Sequence, residues 1–239
     1  MLLALLAAKG SPGVTTTALA LAAASSGPSI VVELDPSGGD VEPWLGDTGD
    51  PGLAAMVRAA RRDGDPEALR HCSVEAAPGL SVATAPVSAV AATAAIAAGG
   101  ERLASALASL AGTVALDCGR WSAEQSLAAR VQASSVTAIV CRPTLASVAH
   151  AGHVVGELRT VTRALAVVVV GEEPYPGADV AHALGVPLAG VLPADPRALR
   201  ALLADGTTAR AWARGRLRRA ATETLATLET IALGVPAGA

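Results

Sequence analysis

The chain has 239 residues, of which 51% are hydrophobic and only 16% charged, and its formal net charge is -3. The length suits one α/β domain over 1–239 with a short tail at 234–239, and the negative balance argues against a protein that binds nucleic acid over its whole surface. Cys72, Cys118 and Cys141 show no metal-ligand spacing and read as reduced, partly buried small hydrophobes. The first apolar run is interrupted by Lys9 before it reaches spanning length, so no integral membrane segment is expected and the expected location is cytoplasmic.

In chain order, the apolar run Leu2 to Ala8 reads as a buried strand and Ala18 to Ala24 as part of a helix, with the turn Lys9-Gly10-Ser11-Pro12-Gly13-Val14-Thr15-Thr16-Thr17 between them. The first N–H groups of a helix lack intrahelical partners and favour an anion, and Gly10 and Gly13 allow the backbone to curl around one. Thr15, Thr16 and Thr17 are poor helix formers placed where hydroxyls reach a phosphate or its Mg²⁺. A standard phosphate loop carries Lys immediately before the metal-binding hydroxyl. Here that place is Val14, and Lys9, the only lysine of the chain, stands at the front of the loop.

The next strand, from Ser29, ends in Glu33-Leu34-Asp35-Pro36-Ser37-Gly38-Gly39-Asp40, with two acids two residues apart at the carboxyl edge where open α/β sheets bind ligands. Val41 to Asp50 reads as a loop over the site, in which Trp44 is an apolar anchor or a partner contact, the anchor being favoured. Helices follow at Leu53 to Arg62 and, after a turn at Asp63 to Pro66, through Arg70. His71 and Cys72 are adjacent, with no base or orienting acid, and do not read as a nucleophile pair. Leu80 to Thr84 is a strand, Val90 to Ala98 and Glu101 to Leu110 are helical, and Val114 to Asp117 is a strand that runs into Cys118-Gly119-Arg120-Trp121. Arg120 faces two readings: a replacement for the phosphate-binding lysine, or a pair with Glu124, the latter favoured. A helix at Glu124 to Val131, a strand at Val136 to Cys141, and a helix opened by Arg142-Pro143-Thr144 and running to Leu158 come next. His150 and His153 lie one helical turn apart without a third ligand. Strands at Ala164 to Val170 and Val186 to Val191 flank a short helix at Ala178 to Leu184.

These motifs resemble the signature-lysine class of phosphate-loop NTPases, the ParA/MinD family of positioning and partitioning ATPases, whose loop reads K-G-G-x-G-K-[ST]-[ST]. The resemblance covers nearly the whole chain. It implies a three-layer α/β/α fold with a mainly parallel, seven-stranded sheet, and ATP or ADP with Mg²⁺ as cofactor. It makes Lys9 the signature lysine, which in the family reaches the nucleotide of the facing subunit of a homodimer. Gly10, Ser11, Pro12, Gly13, Val14, Thr15 and Thr16 then form the nucleotide-binding loop. Thr15, Glu33 and Asp117 are the expected Mg²⁺ residues, and Asp35 the residue that orients water. Ser11 replaces a family glycine and Val14 the in-cis lysine. Gly119 falls one place early for the family's switch loop, and Gly171-Glu172-Glu173 stands where the family has Asn-Arg against the adenine. Pro193 and Asp195 match the family's wall beside the base, or form an ordinary proline-stiffened loop.

The C-terminal region reads as one helix from about Thr208 to Ile231, with Arg210, Arg214, Arg216, Arg218 and Arg219 close together. That cluster suits non-specific contact with DNA phosphates, a solvated face, or the edge of a dimer seam. The expectation is a ParA/MinD-like nucleotide-binding protein with weak or absent ATP hydrolysis, a homodimer that serves an unknown protein partner. The alternative is a non-catalytic scaffold that has lost nucleotide binding.

Overall fold

The computed structural model describes residues 1–46, 51–122, 125–203, 212 and 214–234. Strand β1 (Leu2–Ala7) leads into helix α1 (Val14–Ala23), then β2 (Ser29–Glu33), α2 (Val41–Leu45), α3 (Leu53–Arg62), α4 (Pro66–Arg70), β3 (Val74–Ala77), β4 (Leu80–Ala83) and α5 (Ala89–Ala108). The second half runs β5 (Thr113–Arg120), α6 (Gln125–Ala133), β6 (Val136–Cys141), α7 (Leu145–Leu158), β7 (Leu165–Val170), α8 (Gly177–Leu184), β8 (Leu188–Leu192), α9 (Pro196–Leu203) and α10 (Arg216–Leu233).

The strands form one sheet in the order β3-β4-β2-β5-β1-β6-β7-β8, parallel except where β3 pairs antiparallel with β4. The period of two along β1 divides the core between the two faces of the sheet. Leu2, Ala4 and Leu6 pack with residues of α3, α5, α6, α7 and α8, while Leu3, Leu5 and Ala7 pack with residues of α1, α9 and α10. The interior strands are hydrophobic on both faces, as a doubly covered parallel sheet requires. Because β1, β2, β5, β6, β7 and β8 are mutually parallel, their following loops emerge along one edge, the place where such sheets bind ligands.

The structure refines the expected elements in three places. The sheet has eight strands rather than seven: Val74–Ala77 is a four-residue edge strand, joined to β4 by Pro78-Gly79 with Gly79 at φ +77°. Its Val-Glu-Ala-Ala sequence carries neither clear alternation nor β-branched weight, and the proline–glycine turn is the signal that marks it. In the segment after Asp40, Val41–Leu45 is a short helix rather than loop, and the residue that anchors it is the fully buried Val41, whereas Trp44 is 45% exposed; residues 47–50 of the expected loop lie outside the described residues. The Ala-rich α5 is two helical pieces that meet at Gly100, whose φ of +48° breaks the helix between the two expected helical stretches. The described part of the last helix begins at Arg216, and the expected start near Thr208, with Arg210, lies outside the described residues, as does Glu124.

Candidate functional site

At the carboxyl end of β1 the chain turns through Gly10 (φ +75°) and Gly13 (φ +103°) into α1. A side chain at Gly13 would meet the Thr16 hydroxyl at 2.6 Å, so the turn needs the bare backbone twice, for its left-handed φ and for space. Thr17 makes the first backbone bond of α1, to the Gly13 carbonyl at 2.9 Å, and the Thr16 hydroxyl donates to the same carbonyl at 2.8 Å. The N–H groups of Val14, Thr15 and Thr16 precede the first helical bond and face the sheet edge with the positive end of the helix dipole. Lys9, Gly10 and Ser11 are exposed and Pro12 is buried. Val14 is 8% exposed and packs in the core with Leu3, Leu5 and Ala7, which is why an apolar residue is stable where the family loop carries its ammonium.

The acidic side of the site is assembled by register. β2 and β5 place Glu33 opposite Asp117, and β1 and β5 place Leu5 opposite the same aspartate. Asp117 is buried, lies close enough to the Thr15 hydroxyl for it to favour the charged carboxylate, and accepts a hydrogen bond from the Gly119 N–H at 3.1 Å. Burial dominates its titration: it pushes the carboxyl up to about 7, helped by the neighbouring Glu33 and Asp35 charges and opposed by the Thr15 and Gly119 donors. Asp35 accepts from the Ser37 N–H at 2.7 Å, and its carboxylate lies against Gly119. Glu33 is also buried, and both of its oxygens are engaged: Oε1 accepts from Asp40 N at 2.8 Å and Val41 N at 3.0 Å, and Oε2 from Ala85 N at 3.0 Å. It therefore holds the start of α2 to the end of β4. Burial raises its pKa despite the three donors. Among the described residues no three His, Cys, Asp or Glu side chains form a metal-holding group.

A cavity of about 400 Å³ opens on the other side of the loop. Ser11, Pro12, Gly13, Thr16 and Thr17 line it from the loop, Val170 and Leu192 from the strand ends, Pro193, Ala194 and Asp195 from the loop after β8, and Arg142 and Leu217 complete it. Pro193 and Asp195 thus share one cavity wall with the residues of the glycine-bounded loop. Asp195 Oδ1 also accepts from the N–H groups of Arg197 and Ala198 at 3.1 and 2.9 Å, capping α9. Arg142, which also lines the cavity, was not among the expected site residues; a basic side chain just past a strand end, at the edge where the loops gather, was its signal. Thr17, read with Thr15 and Thr16 as a hydroxyl in reach of a phosphate, is buried on the same wall.

Of the remaining expectations, Arg120 is exposed at the end of β5, and the following Trp121 donates through Nε1 to Glu157 Oε2 at 2.6 Å. His150 and His153 are exposed, and the three cysteines are free and buried. Burial lifts the Cys118 and Cys141 thiols to about 12 and about 11, which leaves them inert. Arg214, Arg216, Arg218 and Arg219 are exposed, with Arg216 paired at 2.7 Å to Glu172 in the loop after β7. A separate groove of about 430 Å³ between α3 and α5 is lined by Ala54, Val57, Arg58, Arg61, Arg62, Ala95 and Ala98 and touches none of the candidate residues. No described helix is long and apolar enough to cross a membrane.

No protein-family model matches the chain, and no curated protein matches it by sequence. Solved structures do match. A ParA family ATPase from Chlorobium tepidum TLS superposes with a TM-score of 0.77 at 18% identity, over 94% of this chain and 98% of that one. The MinD cell division protein of Aquifex aeolicus gives 0.70 at 17%, over 96% of each chain. The septum site-determining protein MinD of Pyrococcus horikoshii OT3, complexed with Mg-ADP, gives 0.70 at 16%, over 100% of this chain and 99% of that one. At such identities the likeness concerns architecture, and on that ground the chain has the ParA/MinD-type phosphate-loop NTPase fold.

Proposed function

We propose that the protein is a ParA/MinD-like nucleotide-binding positioning or partitioning protein in which ATP hydrolysis is weak or absent. The observation that carries this reading is the contact between the Thr15 hydroxyl and the buried Asp117, directly beneath a glycine-bounded helix N-terminus. Those residue types suit a nucleotide with Mg²⁺: the free N–H groups and hydroxyls of the loop take phosphate, and Thr15 with Asp117 behind it takes the metal. Bound Mg²⁺ supplies neutralising charge to the phosphates. Asp35 is available to orient a water, and the exposed Lys9 to reach the phosphates of a second copy in a homodimer.

The same geometry argues for slow chemistry. Val14 is committed to the core, so the loop lacks the ammonium aimed at the terminal phosphates, and loss of one preorganised donor costs about 2.7–4 kcal/mol, roughly a hundredfold to a thousandfold in rate. Light scattering of wild type and Lys9→Ala with and without ATP and Mg²⁺, alongside steady-state phosphate release, tests the reading. Wild type is expected to dimerise with nucleotide and turn over slowly, and Lys9→Ala to stay folded and monomeric. Equal masses in all conditions, with no nucleotide-dependent rise in melting temperature, would move the function to a non-catalytic scaffold. The buried Val14 is the observation that keeps that second reading in play.

A further inference from the structure

The cavity beside the loop contains a cation placed by the fold rather than by the loop motif. Arg142 follows β6 and faces the loop across the cavity from Gly13, Thr16 and Thr17. Its backbone is tethered on both sides: the N–H donates to the Ser147 hydroxyl at 3.1 Å, and the carbonyl accepts from Thr144 N at 2.8 Å. Among the described residues no carboxylate forms an ion pair with its guanidinium. Asp195 shares the cavity wall, but its Oδ1 is directed to the two N–H groups at the start of α9.

Thr17 supplies an independent observation. It is 1% exposed, and its hydroxyl has no hydrogen-bond partner. The usual outlet for a helical threonine is the carbonyl one turn back, here Gly13, which already accepts from the Thr16 hydroxyl and the Thr17 N–H. A buried hydroxyl left unpaired on a cavity wall is completed by a ligand or water. The wall that holds Arg142 and Thr17 includes none of Lys9, Thr15, Asp35 or Asp117, so the enclosed space lies on the Thr16–Pro193 side of the loop, away from the acidic cluster.

We propose that Arg142 is the in-cis cation of this site and that, with the Thr17 hydroxyl, it binds the nucleoside 5′-monophosphate part of a nucleotide. Arginine's planar fork suits a phosphate with its flanking ribose oxygens. The inference rests on the nucleotide-binding reading above and adds a specificity to it: the part common to AMP, ADP and ATP carries the recognition, and the terminal phosphate adds little because Val14 leaves its cation missing.

Calorimetry of the full chain with AMP, ADP, ATP and inorganic phosphate, each with Mg²⁺, tests it on wild type, Arg142→Gln and Thr17→Val. Wild type is expected to bind AMP within about tenfold of ATP, and Arg142→Gln to weaken all three nucleotides by about tenfold or more, the usual range for a charge-assisted contact. Thr17→Val keeps the side-chain shape, so its ligand-free melting temperature should hold or rise while nucleotide affinity falls. Wild-type affinity in Arg142→Gln, ATP binding without AMP binding, or inorganic phosphate binding as tightly as AMP would overturn the proposal while leaving nucleotide binding in place. No heat with any nucleotide in folded wild type would end both.

Discussion

Gly119 lies against the Asp35 carboxylate so closely that a Cβ at position 119 would overlap it, and its φ of +60° is one that side-chain-bearing residues rarely adopt. The end of β5 is thereby pressed onto the loop after β2, and the Gly119 N–H is turned back to Asp117. Gly119→Ala should cost about 1–3 kcal/mol of stability from the backbone alone, more if Asp35 is displaced. Urea denaturation reads the loss; an unchanged midpoint would show that Gly119 and Asp35 are not in this contact.

Asp117 gives a pH dependence with a definite sign. Its carboxyl is raised from 3.8 to about 7 in the fold, so the native state holds a proton that the unfolded chain releases, and its contribution to stability falls as pH rises through that window. Glu33 shifts in the same direction. Asp117→Asn removes the titration while keeping the shape. In metal-free buffer its stability relative to wild type should climb between pH 4 and pH 7 and then level off, by on the order of a few kcal/mol. A difference that stays flat with pH would refute the buried, raised carboxyl.

Glu33 separates a structural acid from a metal-binding one. Three backbone donors converge on its two oxygens, so Glu33→Ala should destabilise the protein by more than about 2 kcal/mol without nucleotide or Mg²⁺, by leaving buried N–H groups unpaired. Thermal melts in chelator check this. Full stability there, with loss only of Mg²⁺-dependent binding, would return Glu33 to the metal.

Restoring the family's loop lysine should fail. Val14 sits in a packed apolar cluster, and Val14→Lys replaces that packing with an ammonium that must be dragged to water, at a cost of about 1–3 kcal/mol. Chemical denaturation and nucleotide titration together decide it. An equally stable variant that binds ATP more tightly would mean that the position opens onto the phosphates.

Much of the architecture was legible because its signals are local. Apolar runs closed by glycine, proline or acids mark β1, β2, β5, β6 and β7, and Gly10, Gly13 and the three threonines mark a helix start suited to an anion. The motif order also named the lysine-loop class whose fold the structure has. What the sequence alone could not decide was where side chains go once distant strands are set in register. Glu33 and Asp117 read as equivalent acids at strand ends, yet one is consumed by the backbone of two other loops and the other meets a threonine hydroxyl. Trp44 read as an anchor by its size, but the neighbouring Val41 took the buried place. Arg142 and Thr17 lie far apart in the chain and share one cavity only because β1 and β6 are adjacent in the sheet. Periodicity and turn chemistry are properties of neighbours along the chain, whereas burial, hydrogen-bond completion and raised pKa values depend on neighbours in space, and those exist only after the sheet has closed its strand order.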